Sequence, residues 1–277
     1  MTESVKTVTL INIIFIITLM LSGNLSGWLG EVVYYLAFII PVAFGIAASD
    51  KLKFKREEER GLAEKYNTLF EFDKKRVLKL LPLIVPIVAV VFLISFVSSL
   101  ILSLVGIQTP AIEDEGLIKM LLVHALAPAI LEESVFRYIP MKLLKPYSKR
   151  WCVIYSAICF SLIHCNFAQM PYAFIAGMMF MLVDIAFDSV WPSIVLHFIN
   201  NATSVVWMKY CSGMTESLIF ISVIAFLTLV SLFFVYRKRH EYKEDFVGAF
   251  LKGEKMPVTY TPLALAAICC CVAAASI

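Results

Sequence analysis

The sequence predicts an all-α membrane protein, a polytopic bundle of about eight transmembrane helices with a cytoplasmic N-terminus. Three observations carry that expectation. Of the 277 residues, 60% are hydrophobic, and the mean hydropathy is +0.84. Only 16% are charged, where a soluble domain would carry about 25%. Apolar runs recur from end to end, which excludes a soluble domain with one anchor, and the basic residues fall in alternate loops.

Thr7 to Ser22 is the first expected span, closed by the turn Gly23 to Gly30, where Trp28 suits a membrane interface. Its flank lacks a strongly basic start and a second span follows closely, so a retained helix is expected, not a cleaved signal. Glu31 to Ala48 is the second span and contains Pro41, tolerable in a packed membrane helix. Residues 1–48 thus form an N-terminal helix pair. Residues 49–77 are polar and carry nine lysines and arginines, from Lys51 to Arg76. They read as a partly helical cytoplasmic loop.

Residues 78–236 read as the transmembrane core. Leu78 to Val105 is the third span, and the loop Thr109 to Gly116 that follows is acidic, which places it outside. Ile118 to Leu144 is the fourth, ending among Lys142, Lys145, Lys149 and Arg150 and therefore inside. Trp151 to Cys165, Tyr172 to Phe187, Trp191 to Lys209 and Leu218 to Tyr236 are the fifth to eighth. The last closes on Arg237-Lys238-Arg239-His240, again inside. Residues 237–277 form a basic juxtamembrane segment and an apolar tail. The tail, Pro262 to Ile277, reads equally as a partial span or an interfacial segment. Its last four residues contain no cysteine and so are no prenylation signal.

The seven cysteines show no metal-finger spacing and no even-numbered disulfide framework, and read as small buried hydrophobes. No glycine-rich phosphate loop or internal repeat is present, and no nucleic acid is expected as a partner. Membrane lipid is, in a cell membrane.

Ionisable groups inside spans are costly and mark function by default. Glu132, Glu133 and Arg137 lie in the fourth span, His164 in the fifth, and His197 and Asn201 in the seventh. Residues four apart share a helix face. Glu133 therefore faces Arg137 and His197 faces Asn201, while Glu132 is turned by about 100°. At 1.5 Å per residue, Glu132 lies about 15 Å from Lys142, and His164 about 20 Å from Trp151. His197 and Asn201 lie about 9 and 15 Å from Trp191. Groups from three helices thus meet in the cytoplasmic half of a core about 30 Å thick.

The pattern Glu132-Glu133-x-x-x-Arg137, Phe160-x-x-x-His164, His197-x-x-x-Asn201 resembles the three motifs of the CAAX-protease and bacteriocin-processing (CPBP, or Abi) intramembrane proteases. The resemblance covers about residues 118–205 and implies an endopeptidase acting near the C-terminus of a membrane-associated peptide or protein. Eukaryotic relatives trim prenylated proteins. The resemblance implies a bacterial chain, for which peptide maturation, bacteriocin self-immunity or envelope regulation is expected and a prenylated substrate is not.

Glu132 is the candidate general base, since a carboxylate in a low-dielectric cavity suits taking a proton from water and returning it to a leaving amine. The resemblance gives the first glutamate that role, with His164 helping to hold the water. His197 and Asn201 are candidate oxyanion donors. Glu133 and Arg137 are expected to pair structurally, and Phe160 to position His164 by packing. The plainer alternatives are a buried carboxylate bonding a neighbouring helix and a polar pair gluing helices together.

Glu132, His164 and His197 are also the ligand types of catalytic zinc, although no HExxH helix is present and a metal-free, glutamate-activated water is the preferred expectation. Cys159 and Cys165 raise a thiol chemistry, but each is turned about 100° from its motif neighbour and has no evident activating partner. His124, two turns above Glu132, is expected to be structural, and Asp184 and Asp188 to be solvated at a membrane edge. Substrate is expected from the cytoplasmic side. The rival functions are a non-catalytic scaffold or immunity protein of the same fold and a proton-coupled transporter, the latter without the expected repeat halves.

Overall fold

The computed structural model describes residues 3–23, 25, 27–60, 74–104, 116–144, 149–165, 169–211 and 213–243. The expected acidic loop before Gly116, the middle of the polar loop (61–73), Cys269 to Cys271 and the apolar tail lie outside these residues. All eight expected segments form helices, with one further turn at 239–243, and no strand occurs among the described residues. They are α1 (Glu3–Gly23), α2 (Trp28–Arg60), α3 (Lys74–Leu104), α4 (117–143), α5 (Lys149–Leu162), α6 (Met170–Phe187), α7 (Trp191–Tyr210) and α8 (Met214–Arg237).

Trp28–Ser49, Leu78–Leu104, Met170–Phe187 and Met214–Arg237 are long and apolar enough to cross a membrane, and Arg150–Leu162 is a shorter apolar helix. With apolar side chains such as Phe226 and Leu229 left exposed on the outer helices, this is a membrane protein.

Successive helices run up and down, so the bundle has two ends. The α1–α2 turn, the start of α4, the α5–α6 turn and the α7–α8 turn lie at one end. The other, basic end holds the end of α2, the starts of α3 and α5, and the ends of α4 and α8. A hydrogen bond from Tyr242 Oη to the Lys79 carbonyl (2.8 Å) ties the segment after α8 to α3 there.

Edge-to-face rings join the N-terminal pair to the core. Phe15 meets Phe38 and Phe136 at centroid distances of 4.8 and 5.3 Å, and Phe136 meets Phe160 at 5.8 Å. A second apolar cluster, with Leu80, Val91, Phe180 and Leu196, packs α3, α6 and α7 together. At Gly177 a Cβ would meet the Ala157 Cα at 3.1 Å, so α5 and α6 approach closely there. α8 buries no residue and lies along α3, presenting its apolar surface outward.

Two departures from regular helix matter for the site. α4 keeps right-handed helical backbone throughout but widens into π-turns at Leu121–Leu126 and Ser134–Tyr138, a feature that commonly accompanies functional sites. α5 ends at Leu162, so His164 stands in the closing turn and not on the helix as the spacing suggested; its N–H donates to the Ser161 carbonyl (3.3 Å). Cys165 follows with φ +46°. The Ser161 hydroxyl donates to the Met170 carbonyl (2.7 Å), joining this turn to α6.

Candidate active site

The first π-turn of α4 and the turns after it as far as Glu132, the late end of α5 with its closing turn, and α7 from His197 onward line one cavity of about 1010 Å³. Glu132, Phe160, His164, His197 and Asn201 all line it. Glu133 and Arg137 do not; they are fully buried behind it. The expected division between the adjacent glutamates is therefore present, with one addition.

Glu133 has two partners. Its Oε2 faces Arg137 Nε at 3.1 Å, and its Oε1 accepts a hydrogen bond from His197 Nδ1 at 2.8 Å. Spacing within α4 pointed to the first contact, and only the tertiary fold supplies the second. Arg137 is held on its other sides by Ser156 Oγ (3.1 Å), by the Phe136 carbonyl (3.2 Å) and by the Phe160 ring, 4.5 Å below its guanidinium carbon. The Ser156 hydroxyl in turn donates to the Phe136 carbonyl. Burying these charges is tolerable only because each is paired and hydrogen-bonded.

Both histidine rings are fixed through Nδ1. His164 Nδ1 donates to the Phe160 carbonyl (2.8 Å), one turn back, and His197 Nδ1 donates to Glu133. In each ring Nε2 is left to serve the cavity. Phe160 packs between them, its centroid 5.1 Å from His164 and 5.8 Å from His197, while Phe180 lies 5.8 Å from His197 on the far side. Phe160 is thus the expected packing residue, with the added task of capping the Arg137 guanidinium.

Glu132 Oε2 lies 3.9 Å from His197 Nε2, beyond direct hydrogen bonding. That oxygen is buried without a hydrogen-bond partner. Asn201 Oδ1 accepts from Asn200 Nδ2 (3.2 Å), which turns the Asn201 amide so that its Nδ2 remains as a donor.

Several expectations fail. Asp184 is not solvated at a membrane edge; it is fully buried. Its Oδ1 accepts the backbone N–H of Ser193 (2.8 Å), satisfying a donor in the first turn of α7 from outside the helix. Asp188, by contrast, is exposed as expected and takes a left-handed conformation after α6. His124, expected to be structural, lies in the first π-turn, which carries it onto the cavity wall. Cys159 is buried outside the cavity near Asn12, and Cys165 also lies off its lining. The thiol chemistry therefore has no support.

Asn200, Tyr34 and Tyr172 line the cavity without having been singled out. Asn200 had a legible signal, being three residues from His197 on a membrane helix. Tyrosine is ordinary near membrane interfaces, so nothing in the sequence marks the other two.

The donor types of Glu132, His164 and His197 would suit zinc. Among the described residues, however, no three His, Cys, Asp or Glu side chains stand together as a metal-holding set. Each histidine commits only Nδ1 to a hydrogen bond and keeps Nε2 toward the cavity, so ring orientation is no obstacle to a ligand role; the missing element among the described residues is a third donor beside them. The side chains as arranged do not fit a three-ligand site, and no step below passes through a metal.

Residues 114–203 match the family model described as Rce1-like, type II CAAX prenyl endopeptidase. No curated protein and no solved structure matches the chain. The matched stretch begins just before α4 and ends just beyond Asn201, so it holds all three motifs and every polar group of the cavity floor. The three motifs thus all fall inside the matched stretch, and from α4 to α7 the chain is similar to the Rce1-like CAAX endopeptidases.

Proposed function

We propose that the protein is an intramembrane endopeptidase that hydrolyses a peptide bond near the C-terminus of a membrane-associated peptide or protein. The observation that carries this reading is the meeting of Glu132, His164, His197 and Asn201 on one cavity, with Glu132 Oε2 near His197 Nε2 but lacking a hydrogen-bond partner. A scaffold gains nothing from burying a carboxylate oxygen without a hydrogen bond, which costs stability.

In this reading Glu132 takes a proton from water, and the water oxygen bonds to the substrate carbonyl carbon. His164 Nε2 accepts the second water hydrogen and so orients the attack. The carbonyl oxygen becomes an oxyanion held by Asn201 Nδ2 and by His197 Nε2, the latter when the ring is doubly protonated with Glu133 balancing its charge. The C–N bond then breaks, and the proton passes from Glu132 to the departing nitrogen. Glu133, Arg137 and Phe160 position the rings and do not touch substrate.

The bundle is proposed to cross the bilayer eight times with its N-terminus in the cytoplasm, in a bacterial plasma membrane. Residues 78–236 form the catalytic unit. Peptide maturation, bacteriocin self-immunity and envelope regulation are the roles proposed.

The test compares terminal peptides released from membranes holding the wild-type chain or Glu132→Gln. Fragments with new termini should be present with the first and absent with the second. Identical profiles, with both chains folded, would return the protein to the scaffold reading.

A further inference from the structure

The lining of the cavity reaches one end of the bundle, its open end, and stops short of the other, the closed end. Its floor is Glu132, Phe160, Phe180 and His197. Below that floor the packing is solid. Glu133, Arg137, Ser156 and Asp184 are all fully buried, and none of them reaches the cavity. Above it, the walls rise through His124 and Lys119 on α4 and Ser204 and Met208 on α7. They end at Gln169 and the α1–α2 turn around Gly27. All of these belong to the end of the bundle away from the basic segments.

Charge distinguishes the two ends. The closed end carries Lys51 to Arg60, Lys79, Lys142, Arg150 and Arg237 to Arg239. The open end carries Lys119 and Lys209 together with Glu31 and Glu216, which balance. Lysine and arginine concentrate on the cytoplasmic side of membrane proteins, so the closed end faces the cytoplasm.

We infer that the site takes its peptide from the outer face of the membrane, the reverse of the cytoplasmic presentation that the sequence alone suggested. From Lys119 to Glu132 the α4 wall rises about 20 Å at helical pitch. An extended chain covers that in about six residues at 3.3–3.6 Å each. The ligand is therefore an extended peptide segment standing on the outer face, with about six residues threaded down to Glu132. The peptide nature of the ligand rests on the peptidase reading; the direction of entry rests only on the cavity and the charge distribution.

The test is labelling of single cysteines in the full chain, after its seven native cysteines are replaced. Lys119→Cys and Gln169→Cys report the mouth, and Arg239→Cys reports the closed end. A membrane-impermeant maleimide should label the two mouth variants in intact spheroplasts and leave Arg239→Cys unlabelled. In inverted vesicles the pattern should reverse. Label at Arg239→Cys in spheroplasts, or mouth variants labelled only in inverted vesicles or in neither preparation, overturns the inference. Labelling needs no turnover, so it fails or succeeds apart from the Glu132→Gln peptide comparison.

Discussion

The Glu133–Arg137 pair offers a cycle in which stability and activity should part company. Both side chains are fully buried, 3.1 Å apart, and Glu133 also accepts from His197 Nδ1 at 2.8 Å. Arg137→Met leaves Glu133 as an uncompensated buried charge, and Glu133→Gln does the same to Arg137. Each single change should cost about 3–5 kcal/mol. Replacing both removes both charges while keeping volume, which is often neutral for a buried pair, so the double variant should recover most of that loss. Peptidase activity should not recover with it, because the carboxylate that balances a protonated His197 is gone from the double variant as from Glu133→Gln. The assay is the midpoint of thermal unfolding in detergent, read by gel filtration, beside peptide release by the same samples. Single variants within about 1 kcal/mol of wild type would contradict a desolvated pair. A double variant with restored activity would contradict the Glu133–His197 coupling.

Other expectations follow from the same geometry. Glu132→Gln should lower turnover by about 10²–10⁴-fold without lowering the unfolding midpoint, since it removes a largely desolvated charge whose Oε2 makes no hydrogen bond; a clear loss of stability would make Glu132 structural. Asn201→Ala should cost about 10²–10³-fold in turnover, and Asn200→Ala less, since Asn200 only orients the Asn201 amide; the reverse order in kinetic assays would refute that assignment. Asp184→Ala should destabilise by about 1–2 kcal/mol through the lost bond to Ser193 N, whereas Asp184→Asn keeps an acceptor and most of the stability, as melting curves would show. A zinc chelator should leave peptide release unchanged. Inhibition reversed by added zinc would reinstate Glu132, His164 and His197 as ligands.

The helices were legible in the sequence because hydropathy, turn residues and basic loops all report the same boundaries. Spacing also gave the Glu133–Arg137 contact, which is local to α4. The Glu133–His197 bond joins residues 64 apart, and no periodicity within one helix can announce it. Asp184 was misplaced for a related reason. It lies near the end of α6, where a carboxylate is expected in water, yet α7 turns back to meet it with an unsatisfied N–H.

Irregular backbone is costly inside a bilayer, and here it gathers around the cavity. α5 has 14 residues, fewer than the roughly 20 that cross the hydrocarbon core. Its closing turn, with His164 and the left-handed Cys165, therefore stands at membrane depth. Such backbone persists there only where it is buried in protein or lines an aqueous space, and His164 lines the cavity. The π-turns on α4 fit the same constraint, since the first carries His124 to that cavity and the second holds Arg137 below it. A full-length α5 with regular turns would be the easier membrane helix. It would also carry His164 on its own axis instead of in a turn anchored to α6, so the short helix is best understood as part of the site's construction.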